Sequence, residues 1–597
     1  MAITPEDRKL RLARARWFTI LIWLVLLALL GRLWQLQIAQ GDRLLRQSET
    51  NRLRVLFLRA ARGVIKDREG RTIACSLPRF VVSVVPDKIK SEPDAVNRLC
   101  RILGISASEF QSLISRKQSI KGAPVRVALD VTPDTMGQIQ EQKPLLPGVS
   151  VELDQVRFYP DGPTFAHVLG YLREIDRDEL EKRKGLCRPG DYIGKSGLEK
   201  QYDELLRGTD GGKRIEVDAR GTRTRVLGDQ PSIPGKTLVL CLDRELQKVA
   251  AVGLEGKVGA AVALDPRTGA VLAMVSKPSF DPNAFVSNLD PGYWATIVNN
   301  KNDPLQNRCV SNRYPPGSTF KIVTAAAGLK HGIISPANFV RCVGVWHLGR
   351  HPWGCWKIHG DVDFSDAIAQ SCDTYFYGVG RKLGIDKLSA MAFSFGLGKK
   401  TGVDLPSEKS GRVPTRQWKR EARHESWRPG DTVNCSIGQG DVQTTPLQMA
   451  LVAAAIANNG RVMRPHLLKE TRDRNGRILS RVEPRELSRL PLPREAIDKI
   501  KSAMRQTVIG HGGTGHVVDL RGVTVAAKTG SAEDPPRRRP HAWFICFAPV
   551  ENPTIAICVF REQGGHGGTE AAPIARAMLE AWFHVKSQPA KPAGWTD

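Results

Sequence analysis

The sequence is poor in cysteine: 11 in 597 residues, an odd number. That density excludes a small disulfide-framed scaffold. It is also short of acid. Asp and Glu total 61 against 88 Lys and Arg, a net charge of +27. No zinc-finger array, RNA-binding signature or recognition-helix pattern accompanies this charge, so no nucleic-acid partner is expected. A basic surface instead suits lipid headgroups or an acidic polymer. Long apolar runs are scarce as well. One is long enough to cross a bilayer, and no second follows.

What remains is an ordinary globular balance, 41% apolar and 25% charged, which argues against general disorder. A chain of 597 residues is too long for one compact core, so two or three domains are expected.

The apolar run begins at Trp17 and continues, broken by Arg32 and two glutamines, to Ile38. About 20 residues cross the hydrocarbon core, so 17–38 suffice, with Arg32 able to snorkel. Arg8, Lys9, Arg11, Arg14 and Arg16 precede it. The positive-inside bias keeps them in the cytoplasm. No small-residue cleavage site follows closely, which disfavours a cleaved signal peptide. The expectation is a cytoplasmic tail over 1–16 and a single-pass anchor over 17–38, with the rest beyond the inner membrane.

Residues 39–235 read as a mixed, multi-piece module with strand-like runs such as Phe80–Val85. A break falls at Pro231–Gly235. Residues 236–585 then carry strand-like runs near both ends: Gly259–Leu264, Ala270–Val275, Gly522–Ala527, Ala542–Phe547 and Thr554–Phe560. Helical segments such as Thr445–Ala457 lie between. This order predicts an α+β domain, an antiparallel sheet flanked by helices. Residues 586–597 are expected to be disordered.

The sharpest local signal is Tyr314-Pro-Pro-Gly-Ser-Thr-Phe-Lys321. The prolines and glycine force a turn, and an alanine-rich helix follows. Ser318 is then expected at a helix's first turn, where free N–H groups favour negative charge. Lys321 lies one turn on and, as a neutral amine, can take the hydroxyl proton. Alone, the pattern is better explained as a helix cap beside a surface lysine. It is, however, the only S-x-x-K in the chain, and Ser371-Cys-Asp373 and Lys528-Thr-Gly530 follow it in order. S-x-x-K, S-D-N and K-T-G together mark penicillin-binding proteins and β-lactamases. Lys400-Thr-Gly402 is a second K-T-G, in a glycine-rich loop. Lys528 instead ends a strand-like run, so 528–530 is preferred.

These motifs resemble the class B penicillin-binding proteins, specifically the elongation-type penicillin-binding protein 2 group. Arg62–Arg68, Arg157–Pro160 and Gly194–Glu199 resemble that group's N-terminal module. Leu264–Gly269 and Ser436–Gly440 resemble its transpeptidase domain. Asp373 replaces the general asparagine, as is common in the elongation-type group. The resemblance implies an N-terminal pedestal or dimerisation-type module over 39–235 and a transpeptidase over 236–585. It implies a D,D-transpeptidase (or carboxypeptidase) that cross-links D-Ala-D-Ala stem peptides of lipid-linked precursors and is inhibited by β-lactams. Ser318 would be the nucleophile and Lys321 the base. Ser371 would relay a proton, and Asp373 would position substrate or Lys321. Lys528, Thr529 and Gly530 would hold the donor carboxylate. The N–H groups of Ser318 and Ser531 would receive the oxyanion. A periplasmic catalytic domain, a SEDS-type glycan polymerase and other elongation-complex partners are implied as well.

Cys342, Cys355, His359 and Cys372 form a C-x12-C-x3-H-x12-C set. A Cys3His shell suits structural zinc. Some elongation-type relatives carry zinc between the first two motifs. One disulfide plus a free thiol, or unrelated buried thiols, are the alternatives, and His347 and His351 are alternative ligands. A β-lactamase would need a device for deacylating water, and no convincing Glu-x-x-x-Asn loop is found. A penicillin sensor would need a signalling domain, and a silent scaffold would not need the full motif set. No candidate glutamate cluster for glycosyl transfer precedes the transpeptidase, so glycan polymerisation is expected to come from elsewhere.

Overall fold

The computed structural model describes residues 5–44, 53–89, 92–117, 124–183, 185–217, 223–286, 290–335, 339–536 and 539–585. The C-terminal tail 586–597 and most of the Arg537-Arg538-Arg539 run lie outside the described residues. The chain divides into a small unit, Met1–Ala61 with Thr209–Ile233, and a large one, Arg62–Gly208 with Pro234–Asp597.

In the small unit, a helix over Pro5–Trp34 continues as a π-helical turn over Gln35–Ala39. Residues 12–39 of it are apolar enough to cross a membrane, the most apolar 18-residue stretch having a mean hydropathy of 2.0. At 1.5 Å per residue the full 28 residues exceed the roughly 30 Å hydrocarbon core. The same unit holds an antiparallel sheet of Leu53–Leu58, Gly211–Val217 and Arg223–Gln230, in that order.

In the large unit, the central sheet is fully antiparallel. Its order is Val271–Lys277, Gly259–Leu264, Ile555–Arg561, His541–Ala548, Ala526–Ala532. The strands are buried on both faces, so side-chain alternation sorts residues between two cores. Trp543, Ile545 and Phe547 join the core with the helices Lys321–Lys330 and Pro446–Ala457. Phe544, Cys546 and Ala548 join the core with Arg244–Gly253 and Ala572–Phe583. The α+β class is as expected. One strand starts later than its apolar pattern suggests: Gly522 has φ +79° and turns the chain, so pairing begins at Ala526.

A second, seven-stranded sheet crosses the sequence boundary at 235. It joins Thr237–Leu240 and Leu468–Arg472 to Ile65–Lys66, Thr72–Val84 and their partners. A buried ion network sits beside it. Glu199 accepts from Arg62 Nε at 2.6 Å and from Arg157 Nε at 2.7 Å. Arg62 also reaches Asp203 at 2.9 Å, and Arg157 donates to Gly63 O at 2.7 Å. The three N-terminal motifs singled out by sequence thus meet at one carboxylate.

Candidate active site

The Tyr314–Ser318 turn is clamped from three sides. Tyr314 and Thr444 exchange backbone hydrogen bonds at 2.9 and 2.8 Å. Gly317 N–H donates to Gly438 O at 3.0 Å, and Trp543 Nε1 donates to Pro315 O at 2.9 Å. Gly317 has φ +55°, and a Cβ there would come within 2.6 Å of Ser531 O. Only glycine therefore lets the turn sit against the edge strand. Ser318 lies in a 3-10 turn, Gly317–Phe320, that leads into the helix starting at Lys321. The expected α-helical first turn is tighter than the sequence suggests, and Ser318 remains partly exposed.

Lys321 is fully buried. Its Nζ donates to Ser371 O at 2.7 Å and Ser371 Oγ at 3.2 Å, and it pairs with Asp373 Oδ1 at 2.8 Å. Lys528, also fully buried, donates to Ser371 Oγ at 2.8 Å and Thr529 O at 2.8 Å. One hydroxyl therefore bridges two amines. Ser371 holds this place with φ +57°, a left-handed conformation costly for serine. Burial, and then the charge of Lys321, drive the Lys528 pKa well below the usual lysine range, with Asp373 opposing. One carboxylate beside two buried amines favours a neutral amine in the group.

Lys528 to Ser531 lie on the edge strand Ala526–Ala532. Gly530 packs on the serine turn, where a Cβ would meet Thr319 Cγ2 at 2.9 Å. Thr529 Oγ1 shares a 2.6 Å hydrogen bond with Thr514 Oγ1, and Ser531 Oγ lies 3.4 Å from His566 Nδ1. Thr514 and His566 were missed by sequence reasoning. Their glycine-rich settings, Gly512-Gly-Thr-Gly515 and His566-Gly-Gly-Thr569, were the available signal. The other K-T-G does something else: Thr401 N–H and Oγ1 both donate to Glu408 at 2.6 Å, closing a loop.

Cys342, Cys355, His359 and Cys372 come together, their ligand atoms all within 4.8 Å of one another. A tetrahedral zinc shell with Zn–S about 2.3 Å spaces its donors roughly 3.5–4 Å apart, close to this span. His359 Nδ1 lies 3.4 Å from Cys342 Sγ and 3.5 Å from Cys355 Sγ. Its Nε2 lies 3.2 Å from Gln370 O. Donation there leaves the Nδ1 lone pair facing the sulfurs, the tautomer a metal needs. A hydrogen bond from Cys372, then N–H groups of Thr374 and Asp373, lower the Cys355 thiol pKa. His347 and His351 instead sit on the hairpin Val345–Leu348/His351–Gly354, outside this group. All eleven cysteines are unpaired as disulfides.

Comparison with known proteins identifies the family. The penicillin-binding protein transpeptidase domain family matches residues 259–580, and the penicillin-binding protein dimerisation domain family matches 57–240. The chain is 36% identical to the peptidoglycan D,D-transpeptidase MrdA of Acinetobacter baumannii, over 98% of this chain and 90% of that protein. It resembles penicillin-binding protein 2 in its complex with MreC from Helicobacter pylori, with TM-score 0.78, 28% identity, and coverage of 89% of this chain and 99% of that one. It also resembles a chain of a peptidoglycan synthase complex that coordinates polymerization and crosslinking, with TM-score 0.72, 31% identity, and coverage of 96% and 99%. The chain belongs to the penicillin-binding protein 2 family of peptidoglycan D,D-transpeptidases.

Proposed function

We propose that this chain cross-links peptidoglycan stem peptides during wall elongation, through an acyl-enzyme on Ser318. The observation that carries this is the buried array of Lys321, Ser371, Asp373 and Lys528 behind the serine turn. Ser318 Oγ attacks the carbonyl carbon of the D-Ala-D-Ala bond, and its proton passes to Lys321. Ser371 Oγ, in reach of both amines, relays a proton to the departing D-Ala amine. Asp373 holds Lys321. Either lysine, when neutral, can draw on the Ser371 proton, so the base can be regenerated within the array.

Thr529, Gly530 and Lys528 form the seat for the donor's terminal carboxylate. That anion would supply the second negative charge which the two buried amines lack. The N–H groups of Ser318 and Ser531 receive the oxyanion, where losing one donor costs about 3–4 kcal/mol of barrier. An amine of a neighbouring stem then takes the acyl group. Water in its place gives carboxypeptidase activity. A β-lactam enters by the same attack and remains bound.

The N-terminal helix anchors the chain in the bacterial inner membrane, with the catalytic domain on the periplasmic side, following the basic residues before it. The MreC complex and the synthase complex of relatives support elongation-complex partners, including a SEDS-type glycan polymerase. The Cys342, Cys355, His359 and Cys372 set holds structural zinc. Bound there, zinc would tie two loops and the second motif together and supplies no step of the reaction.

The test is mass spectrometry of the intact protein after penicillin treatment, with the adduct mapped. The expected adduct sits on Ser318 and vanishes in Ser318→Ala. Covalent labelling of Ser318→Ala would sink the reading.

A further inference from the structure

Tyr377 lies four residues beyond Asp373 on the helix Asp373–Ser394, so the two share a face. Its hydroxyl donates to Gly354 O at 2.9 Å, which seats the hairpin Val345–Leu348/His351–Gly354 against that face. Trp346 and Trp353 are directly opposed across the hairpin, and their rings meet edge-on at 6.1 Å. Trp346 is 5.9 Å from the Tyr377 ring. Trp353 Nε1 donates to Asn434 Oδ1 at 3.0 Å, on the helix leading into Ser436–Gly440. Tyr377 is buried, but both tryptophans keep part of their surface in solvent. The rings make an aromatic wall one helical turn from the Lys321–Asp373 pair.

Negative charge gathers at the same place. Burial pushes the Tyr377 phenol up, and Asp373, Cys355 and Glu533 push it further. Asp373 is committed to Lys321. Glu533 follows the edge strand that bears Lys528-Thr-Gly530, and its backbone N–H and C=O lie 3.0 and 3.2 Å from the Gln439 side-chain amide. The Gln439 backbone N–H in turn donates at 3.0 Å to the carbonyl of Asn434, the residue that holds Trp353. It is exposed and forms no ion pair among the described residues. In a chain of net charge +27, an unpaired carboxylate beside aromatic faces is a setting for a cation.

Acyl transfer supplies that cation. The acceptor must be an amine, and a free primary amine in water is an ammonium. We infer that Trp346, Trp353, Tyr377 and Glu533 form the binding subsite for the acyl acceptor, a primary ammonium. This rests on the acyl-transfer reading above. The bound ammonium loses a proton to the lysine array and its nitrogen attacks the ester carbon on Ser318. The C–N bond forms and the attacking nitrogen sheds a second proton. The C–Oγ bond breaks, one of the two protons goes to Ser318 Oγ, and the other leaves through the array to solvent. The wall positions the nitrogen and does no chemistry.

The test uses the full-length protein with an acyl-D-alanyl thioester donor. Water competes with either D-alaninamide, a cationic amine acceptor, or methanol, a neutral one. The quantity read is the ratio of transfer product to hydrolysis product from one acyl-enzyme. Trp346→Ala and Glu533→Gln are each expected to lower the D-alaninamide ratio about five- to twentyfold, and Trp346→Phe to restore most of it. The methanol ratio should stay within about twofold. Glu533 is exposed, so its variant reads the subsite without a folding defect. Unchanged D-alaninamide ratios in both variants would overturn the inference, as would an equal fall with methanol. If the unaltered protein formed no acyl-enzyme at Ser318, the acyl-transfer reading itself would fail.

Discussion

The backbone N–H of Asp373 donates to Cys355 Sγ at 3.2 Å, while Asp373 Oδ1 pairs with Lys321 Nζ at 2.8 Å. One residue thus touches the thiol cluster with its backbone and the proposed general base, Lys321, with its side chain. Cys372, the middle residue of the second motif, is itself one of the cluster. The proposed structural metal and the proposed catalytic array meet within three consecutive residues, Cys372 belonging to the first and Ser371 and Asp373 to the second.

This sharing predicts that losing a thiol ligand disturbs acylation. Cys355→Ser should abolish stoichiometric zinc in metal analysis. It should also slow penicillin acylation by about 10- to 100-fold, the range typical of altered ligand support. A cluster that only stabilises the fold would lower the melting temperature and leave the acylation rate of folded protein intact.

Ser371 can be separated into its backbone and its hydroxyl. Ser371→Ala and Ser371→Gly both remove the bridge between Lys321 and Lys528. Each should cut acylation by about 10²–10⁴-fold, as for loss of a proton-transfer group. Their stabilities should differ, because glycine adopts φ +57° freely and alanine does not. The glycine variant is expected to be more stable by about 1 kcal/mol in urea titration.

Lys528 has a folded-state pKa below its unfolded value. Between those two values the unfolded chain binds the extra proton, so this residue's contribution to stability rises with pH. Below the folded value its burial is a constant penalty. Lys528→Met removes the linkage. Relative to the unaltered protein, its stability advantage should be largest below the folded-state pKa of Lys528. It should shrink as pH climbs toward the ordinary lysine value of 10.5. Melting curves of the two proteins across that range give the difference directly. A constant gap would show that Lys528 titrates normally.

Glu199 supports Arg62 and Arg157 in a buried setting. Glu199→Gln keeps the shape and removes the charge. Stranding the buried Arg157 guanidinium and leaving Arg62 with Asp203 alone should cost about 3–5 kcal/mol, read by chemical denaturation. Replacing a single surface partner such as Glu486, which faces Arg461 and Arg489 in solvent, should cost under about 1 kcal/mol.

Much of this was legible in the residues. The lone S-x-x-K, its ordered partners and the apolar anchor each rest on local spacing or composition. So does the central sheet, whose apolar runs recur as strands with small shifts at their ends. Thr514 and His566 were not legible, because nothing local to a glycine-rich loop says which strand edge it will meet. The join between Glu199, Arg62 and Arg157 was legible only as three separate motifs. The 3-10 geometry at Ser318 also escaped, since it depends on Gly438 and Ser531 pressing on the turn from distant segments.

By itself the sequence determined which groups are available: one activated serine candidate, two lysines in motif, four thiol and imidazole donors, and one membrane-length apolar run. Those follow from side-chain chemistry and short-range periodicity, which need no partner. Only the tertiary structure decided that a single hydroxyl bridges both lysines, that Asp373 faces Lys321 and the thiols together, and that an aromatic hairpin stands beside them. Those depend on segments far apart in the chain, brought together by burial of the central sheet and its helices. No local pattern encodes that convergence.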